Sequence, residues 1–80
     1  DELCKKLVFM GYEHSDVVEG QGQFARRGGI VDIYSAVNEN PIRLDFFDED
    51  VDAIKTLDAK TQRSLGNISE AKIYPMRELV

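Results

Sequence analysis

His14 is the only histidine and Cys4 the only cysteine of this 80-residue chain. That leaves no histidine pair for a metal, no intrachain disulfide and no cysteine zinc cluster. His14 stands in a polar stretch, where it is either solvated or a pH-sensitive contact. Ser15, Ser35, Ser64 and Ser69 have His14 as their sole candidate base, and no nucleophile motif surrounds any of them. Asp45, Asp48, Glu49, Asp50 and Asp52 invite a metal reading, but they lack the 12-residue calcium-loop pattern with its mid-loop glycine and terminal glutamate. As an acidic hairpin they would blunt edge pairing and keep the chain dissolved. Paired carboxylates doing acid–base work would need a deep pocket to raise one pKa. The residues that remain are Arg27, Arg43 and Asp45, which suit contact with a partner and not catalysis.

These charges fall in two strand-like runs, Gln23 to Tyr34 and Pro41 to Phe47. In the second, Ile42, Leu44 and Phe46 share one face, while Arg43, Asp45 and Phe47 share the other. Arg27 stands beside Gly28 on the face turned away from the apolar partners of Phe24. Arg43 and Asp45, two apart, are placed to pair with each other or with a neighbouring strand. One reading is a surface ion pair worth about 0–1 kcal/mol. The other is a recognition surface anchored by arginine, whose planar fork binds carboxylates through two hydrogen bonds. Composition leaves both open.

The totals set limits. Eighty residues make one small domain, residues 1–80, near the lower end of what folds alone. A chain of 9.1 kDa should expose on the order of 4,900 Å², of which an interface of about 800 Å² per partner takes roughly a sixth. A net charge of −5 argues against nucleic-acid binding, which draws its affinity from phosphate contacts. Arg26 and Arg27 are the only candidate basic patch. No apolar run approaches a membrane span and no signal-peptide core is present. The unpaired cysteine is consistent with a reducing cytoplasm. The chain begins at Asp1-Glu2 without methionine and reads as a fragment of something larger.

Asp1 to Met10 predicts a helix: Leu3, Leu7 and Met10, with Cys4 and Val8, form an apolar stripe, and Gly11 suits the left-handed residue that ends it. Cys4 is expected to be a small buried apolar residue on that helix. Tyr12 to Asp16 reads as a polar connector, Val17 to Glu19 as the possible start of a first strand, and Gly20-Gln21-Gly22 as a turn. Gly28-Gly29 marks a bulge or a close backbone approach between two strands. Asp48-Glu49-Asp50 is a hairpin turn, and Val51 to Leu57 a strand with a bulge. Gly66-Asn67 reads as a turn, and Ala71 to Tyr74 as a final strand stopped by Pro75. The expected architecture is α+β: one N-terminal helix packed on a curved antiparallel sheet of four to six strands.

Three motifs occur in order: Phe24-x-x-Arg27-Gly28-Gly29-Ile30-x-Asp32-Ile33, Arg43-Leu44-Asp45-Phe46-Phe47-x-x-x-Val51 and Asp58-x-x-Thr61-Gln62-Arg63-Ser64. Together they resemble a segment of the bacterial transcription-repair coupling factors, the one similar to the UvrA-interacting domain of UvrB. The likeness runs from Gly11-Tyr12 to Tyr74-Pro75-x-Arg77-Glu78. UvrB proteins tend to carry Thr-Gly where this chain has Thr61-Gln62.

The resemblance implies a non-catalytic, cofactor-free docking module of a large ATP-driven DNA translocase, with UvrA as its ligand. The parent's other domains would engage RNA polymerase and DNA, and a C-terminal domain would mask the docking face at rest. Position by position, it implies that Arg27, Arg43 and Asp45 contact UvrA, with Phe47 adding apolar area. His14 falls where an arginine contact is usual, so the basic contact is weakened there. Ala25 lacks a second arginine found in UvrB proteins, and Arg26 adds one a position later. The alternatives are the same domain of UvrB itself, a small nucleic-acid-binding module using Arg26 and Arg27, and a purely structural brace.

Overall fold

The computed structural model describes residues 2–48 and 50–76. Asp1 at the expected helix start, Glu49 in the acidic turn and Arg77-Glu78 at the end of the likeness lie outside the described residues. The apolar spacing of the first ten residues produces α1 (Glu2–Phe9), with Glu2 in its first turn and Lys6 in its last, each favourable to the helix dipole. Gly11 ends it at φ 97. The Gly11 amide donates to the Val8 carbonyl at 3.0 Å and the Tyr12 amide to Leu7 at 3.0 Å. This is the paired closure that a left-handed glycine permits, sealed by the burial of Leu7 and Tyr12.

Six strands follow in one sheet: β1 (Glu13–His14), β2 (Gln23–Arg27), β3 (Ile30–Tyr34), β4 (Ile42–Phe47), β5 (Asp50–Leu57) and β6 (Ser64–Ile68). Spatial order equals chain order. All neighbours are antiparallel except β1, which runs parallel to β2. The α+β expectation stands, but with a mixed sheet. Two residues join β2 to β3, and the first of them, Gly28, has φ 58, the left-handed position that tight hairpins assign to glycine. Gly29 lies so close to β4 that an added Cβ would meet the Phe46 carbonyl at 3.1 Å. The close backbone approach expected from the paired glycines is therefore present. In β5 the register slips opposite Asp45 and Phe46, so Asp52 is the extra residue of the expected bulge.

One face of the sheet carries the core. Phe24, Val31, Ile33, Ile42 and Leu44 pack there against Leu7 and Tyr12. On the helix, Leu3, Cys4 and Met10 are partly buried against this core. Val8 departs from the expected stripe and stands 55% exposed, because it lies one step round the helix from Leu7, past the line of contact.

Four local expectations are corrected. Val17 to Glu19 is loop, not strand; Val18 is nonetheless fully buried, held by tertiary packing. The first strand is Glu13–His14 instead, drawn into the sheet by bonds from Glu13 to Gly22 at 2.8 Å and from Ser15 to Phe24 at 2.8 Å. Gly66-Asn67 lies inside β6, facing Thr56 and Lys55; the glycine serves an irregular strand and not a turn. Ala71 to Tyr74 belongs to no strand. Ala71, Ile73 and Met76 pack on the core, while the Met76 amide donates to Met10 at 2.8 Å and the Tyr12 hydroxyl to the Tyr74 carbonyl at 2.6 Å. The alternation there reflects packing across the helix terminus, not ladder pairing.

Candidate functional site

On the second face of the sheet, strand alternation lines up two cross-strand rows. One runs Ala25, Asp32, Arg43, Lys55 and Asn67; the next runs Arg27, Ile30, Asp45 and Ala53. Phe47 continues the alternation of β4 at the end of the second row and is 72% exposed. Four of the six sequence-predicted site residues, Arg27, Arg43, Asp45 and Phe47, thus belong to one face.

At its centre is Asp32, only 2% exposed. Arg43 Nε donates to Asp32 Oδ1 at 2.7 Å and Nη2 to Oδ2 at 2.9 Å. Arg27 Nη2 lies 3.9 Å from the same Oδ2, with its side chain 59% exposed. One carboxylate therefore faces two guanidiniums, one gripped and one loosely attached. The bond to Asp32 raises the pKa of Arg43 above its ordinary value; partial burial works against the rise, and the charges of Asp32 and Asp45 add to it. Between the two pairings anticipated for Arg43, the structure selects the neighbouring strand, with Asp32 and not Asp45 as the partner.

Asp32 is the residue that sequence reasoning left out of the site. It lies inside the first motif, and its signal is an acid set between Val31 and Ile33 in an otherwise apolar strand. Reading it as the partner of Arg43 requires the β3–β4 register.

His14 and Arg26 lie on the opposite, helix-bearing face. His14 is in β1 and not in a loop, in register with Phe24, and its ring stands 5.2 Å from that of Phe24, tilted by 40°. With Cys4, Lys5 and Val8 these residues line an open groove of about 510 Å³ beside α1. Arg26 and Arg27 are consecutive in a strand and therefore point to opposite faces, so they do not form the single basic patch that a phosphate backbone would use.

Loops cover part of the second face beside the charged rows. Leu57 and Val18 are fully buried there. The Asp58 carboxylate accepts from the Lys60 amide at 2.8 Å and the Thr61 amide at 3.1 Å, and these backbone bonds hold its pKa below the ordinary value. The turn leaves Gln62 at φ 65, a conformation glycine adopts most easily. Gln62 Nε2 donates to the Val18 carbonyl at 3.1 Å and to that of Ala59 at 3.0 Å, tying the two loops together.

Among the described residues, no group of three or more histidine, cysteine, aspartate or glutamate side chains is placed to hold a metal ion, and no helix is long and apolar enough to cross a membrane. The chain is similar over its full length to transcription-repair-coupling factors: 44% identical over 80 residues to that of Bacillus subtilis (strain 168), 48% over 80 to that of Staphylococcus haemolyticus (strain JCSC1435) and 36% over 80 to that of Myxococcus xanthus. Each match covers 100% of this chain and 7% of the relative, so the chain spans about one-fourteenth of these proteins. The family model of the UvrB interaction domain matches residues 1–79. The chain belongs to the UvrB interaction domain family, and is an interaction module rather than a catalytic one.

Proposed function

We propose that residues 1–80 are the UvrA-docking domain of a transcription-repair coupling factor, acting in the cytoplasm without a cofactor to bring nucleotide excision repair to stalled RNA polymerase. The observation that carries this reading is the second sheet face: Arg27, Asp45 and Phe47 stand around the Asp32–Arg43 pair, on a surface free of the helix that covers the other side.

In this reading Arg27 and Asp45 make charge-assisted contacts across the interface, Arg43 supports them and Phe47 supplies apolar area at the rim. The remainder of the parent supplies the ATP-driven motor, the contacts to RNA polymerase and DNA, and the domain that masks this face at rest. The opposed directions of Arg26 and Arg27, together with a net charge of −5, disfavour the DNA-binding alternative.

Calorimetric titration with UvrA tests the reading. Binding at micromolar affinity or tighter is expected, and Asp45→Arg should abolish it in a chain whose circular dichroism is unchanged. Unaltered affinity for that variant would remove the charged face from the interface.

A further inference from the structure

We infer that Asp32 is a positioning residue of the docking face: it touches no partner but fixes how Arg43, and through their shared oxygen Arg27, is presented. This rests on the docking reading above. With 2% of its surface exposed, Asp32 is unavailable for contact. Both its oxygens are nevertheless committed to one edge of the Arg43 guanidinium, through Nε and Nη2, which leaves the Nη1 side of the fork unengaged by Asp32. A bidentate grip fixes the plane of the guanidinium as well as its position. Arg27, 3.9 Å from Asp32 Oδ2 and 59% exposed, is attracted to the same oxygen without being locked to it.

The two arginines therefore act as different devices around one buried anion. Arg43 is a fixed plate and Arg27 a hinged arm whose resting place is set by Asp32. An interface group held in its bound orientation before contact loses less freedom on binding. A carboxylate buried only for stability could be exchanged, with Arg43, for apolar residues at little loss. A carboxylate that orients two cations cannot be exchanged in that way.

The position also separates orientation from attraction. Replacing Asp32 by asparagine makes the face one unit more positive. If the face works by net charge toward an acidic partner, Asp32→Asn should bind UvrA more tightly. If Asp32 works by positioning, Asp32→Asn should bind at least tenfold more weakly, chiefly through faster dissociation, although the chain still unfolds cooperatively. Arg43→Lys, which keeps the charge and loses the fork, should weaken binding in the same sense and serves if Asp32→Asn does not fold.

A merely structural role would lower the melting temperature and leave the affinity of the folded chain unchanged. Unchanged or tighter binding by folded Asp32→Asn, or by Arg43→Lys, overturns the inference. An arm independent of UvrA is the Arg43 side-chain Nε–H resonance, which should be protected from solvent exchange in the native chain and lose that protection in Asp32→Asn. An unprotected resonance in the native chain also overturns the inference. If the native chain shows the protected resonance and yet binds no UvrA, it is the docking reading that fails, and the hold of Asp32 on Arg43 stands.

Discussion

The two faces of this sheet are built from the same alternating strands and put to opposite uses. On one, Phe24, Val31, Ile33, Ile42 and Leu44 close against α1 and lose contact with water. On the other, the equivalent alternate positions carry Ala25, Asp32, Arg43 and Asp45, with no helix above them. The first face is stabilised by area removed from water, at about 25 cal/mol per Å². The second buries Ala25, Leu57 and Val18 beneath its loops as well, but its charged rows centre on one well-made ion pair around a buried carboxylate, which contributes little net stability while intact and is expensive to break. In the proposed reading, the difference separates where this small domain gets its fold from where it would meet its partner. Substitutions on the two faces should therefore fail in different ways.

The largest expected effect is at the one residue that serves both ends. Arg43→Ala leaves Asp32 buried and unpaired, which costs about 3–5 kcal/mol, out of the total of about 4–12 kcal/mol usual for 80 residues. Urea denaturation should show a severely lowered midpoint, and docking should be lost with it. A midpoint close to that of the native chain would mean that water reaches Asp32 readily and that the pair is an ordinary surface contact.

Arg27→Glu should separate the two properties. Its 3.9 Å contact with Asp32 is long and exposed and is worth at most about 1 kcal/mol to the fold, whereas its expected share of docking is about 2–4 kcal/mol, a loss of roughly 30- to 1,000-fold in affinity.

The smallest effect concerns the loop beside the face. Asp58 has its pKa lowered by the Thr61 and Lys60 amides, so its ionised form favours the folded state. Its contribution is present above the ordinary value near 3.8 and is lost as pH falls through the lowered folded value. Asp58→Asn should therefore melt slightly below the native chain at neutral pH, and the gap should narrow as the melts are taken below the ordinary value and on through the lowered one. A gap that persists in acid would assign the loss to geometry and not to charge.

Much of this arrangement was legible in the sequence because period-2 alternation assigns faces directly. Ile42, Leu44 and Phe46 separate from Arg43, Asp45 and Phe47 on inspection, and the Gly28-Gly29 pair marks the close backbone approach that the structure places against Phe46 of β4. What the sequence withheld depends on contacts between distant segments. The pairing of Asp32 with Arg43 needs the β3–β4 register. The parallel bridge of β1 to β2 spans two residues, too few for a propensity signal. Ala71 to Tyr74 alternates like a strand, but its apolar residues answer to the core beneath α1. The resemblance names His14 and Arg26 beside Arg27, and only the strands β1 and β2 show that these two take the opposite face from Arg27.

The most direct test of the central claim uses the two consecutive arginines of β2. Arg26→Glu and Arg27→Glu make the same charge reversal one residue apart, on opposite faces, and each should be titrated calorimetrically with UvrA beside the native chain. The account predicts that Arg27→Glu loses about 30-fold or more in affinity, while Arg26→Glu, confirmed as folded by circular dichroism, stays within about threefold. Equal losses in both would show that docking responds to the net charge of the domain rather than to one face. A larger loss at Arg26 would place the interface on the helix-bearing side and contradict the account.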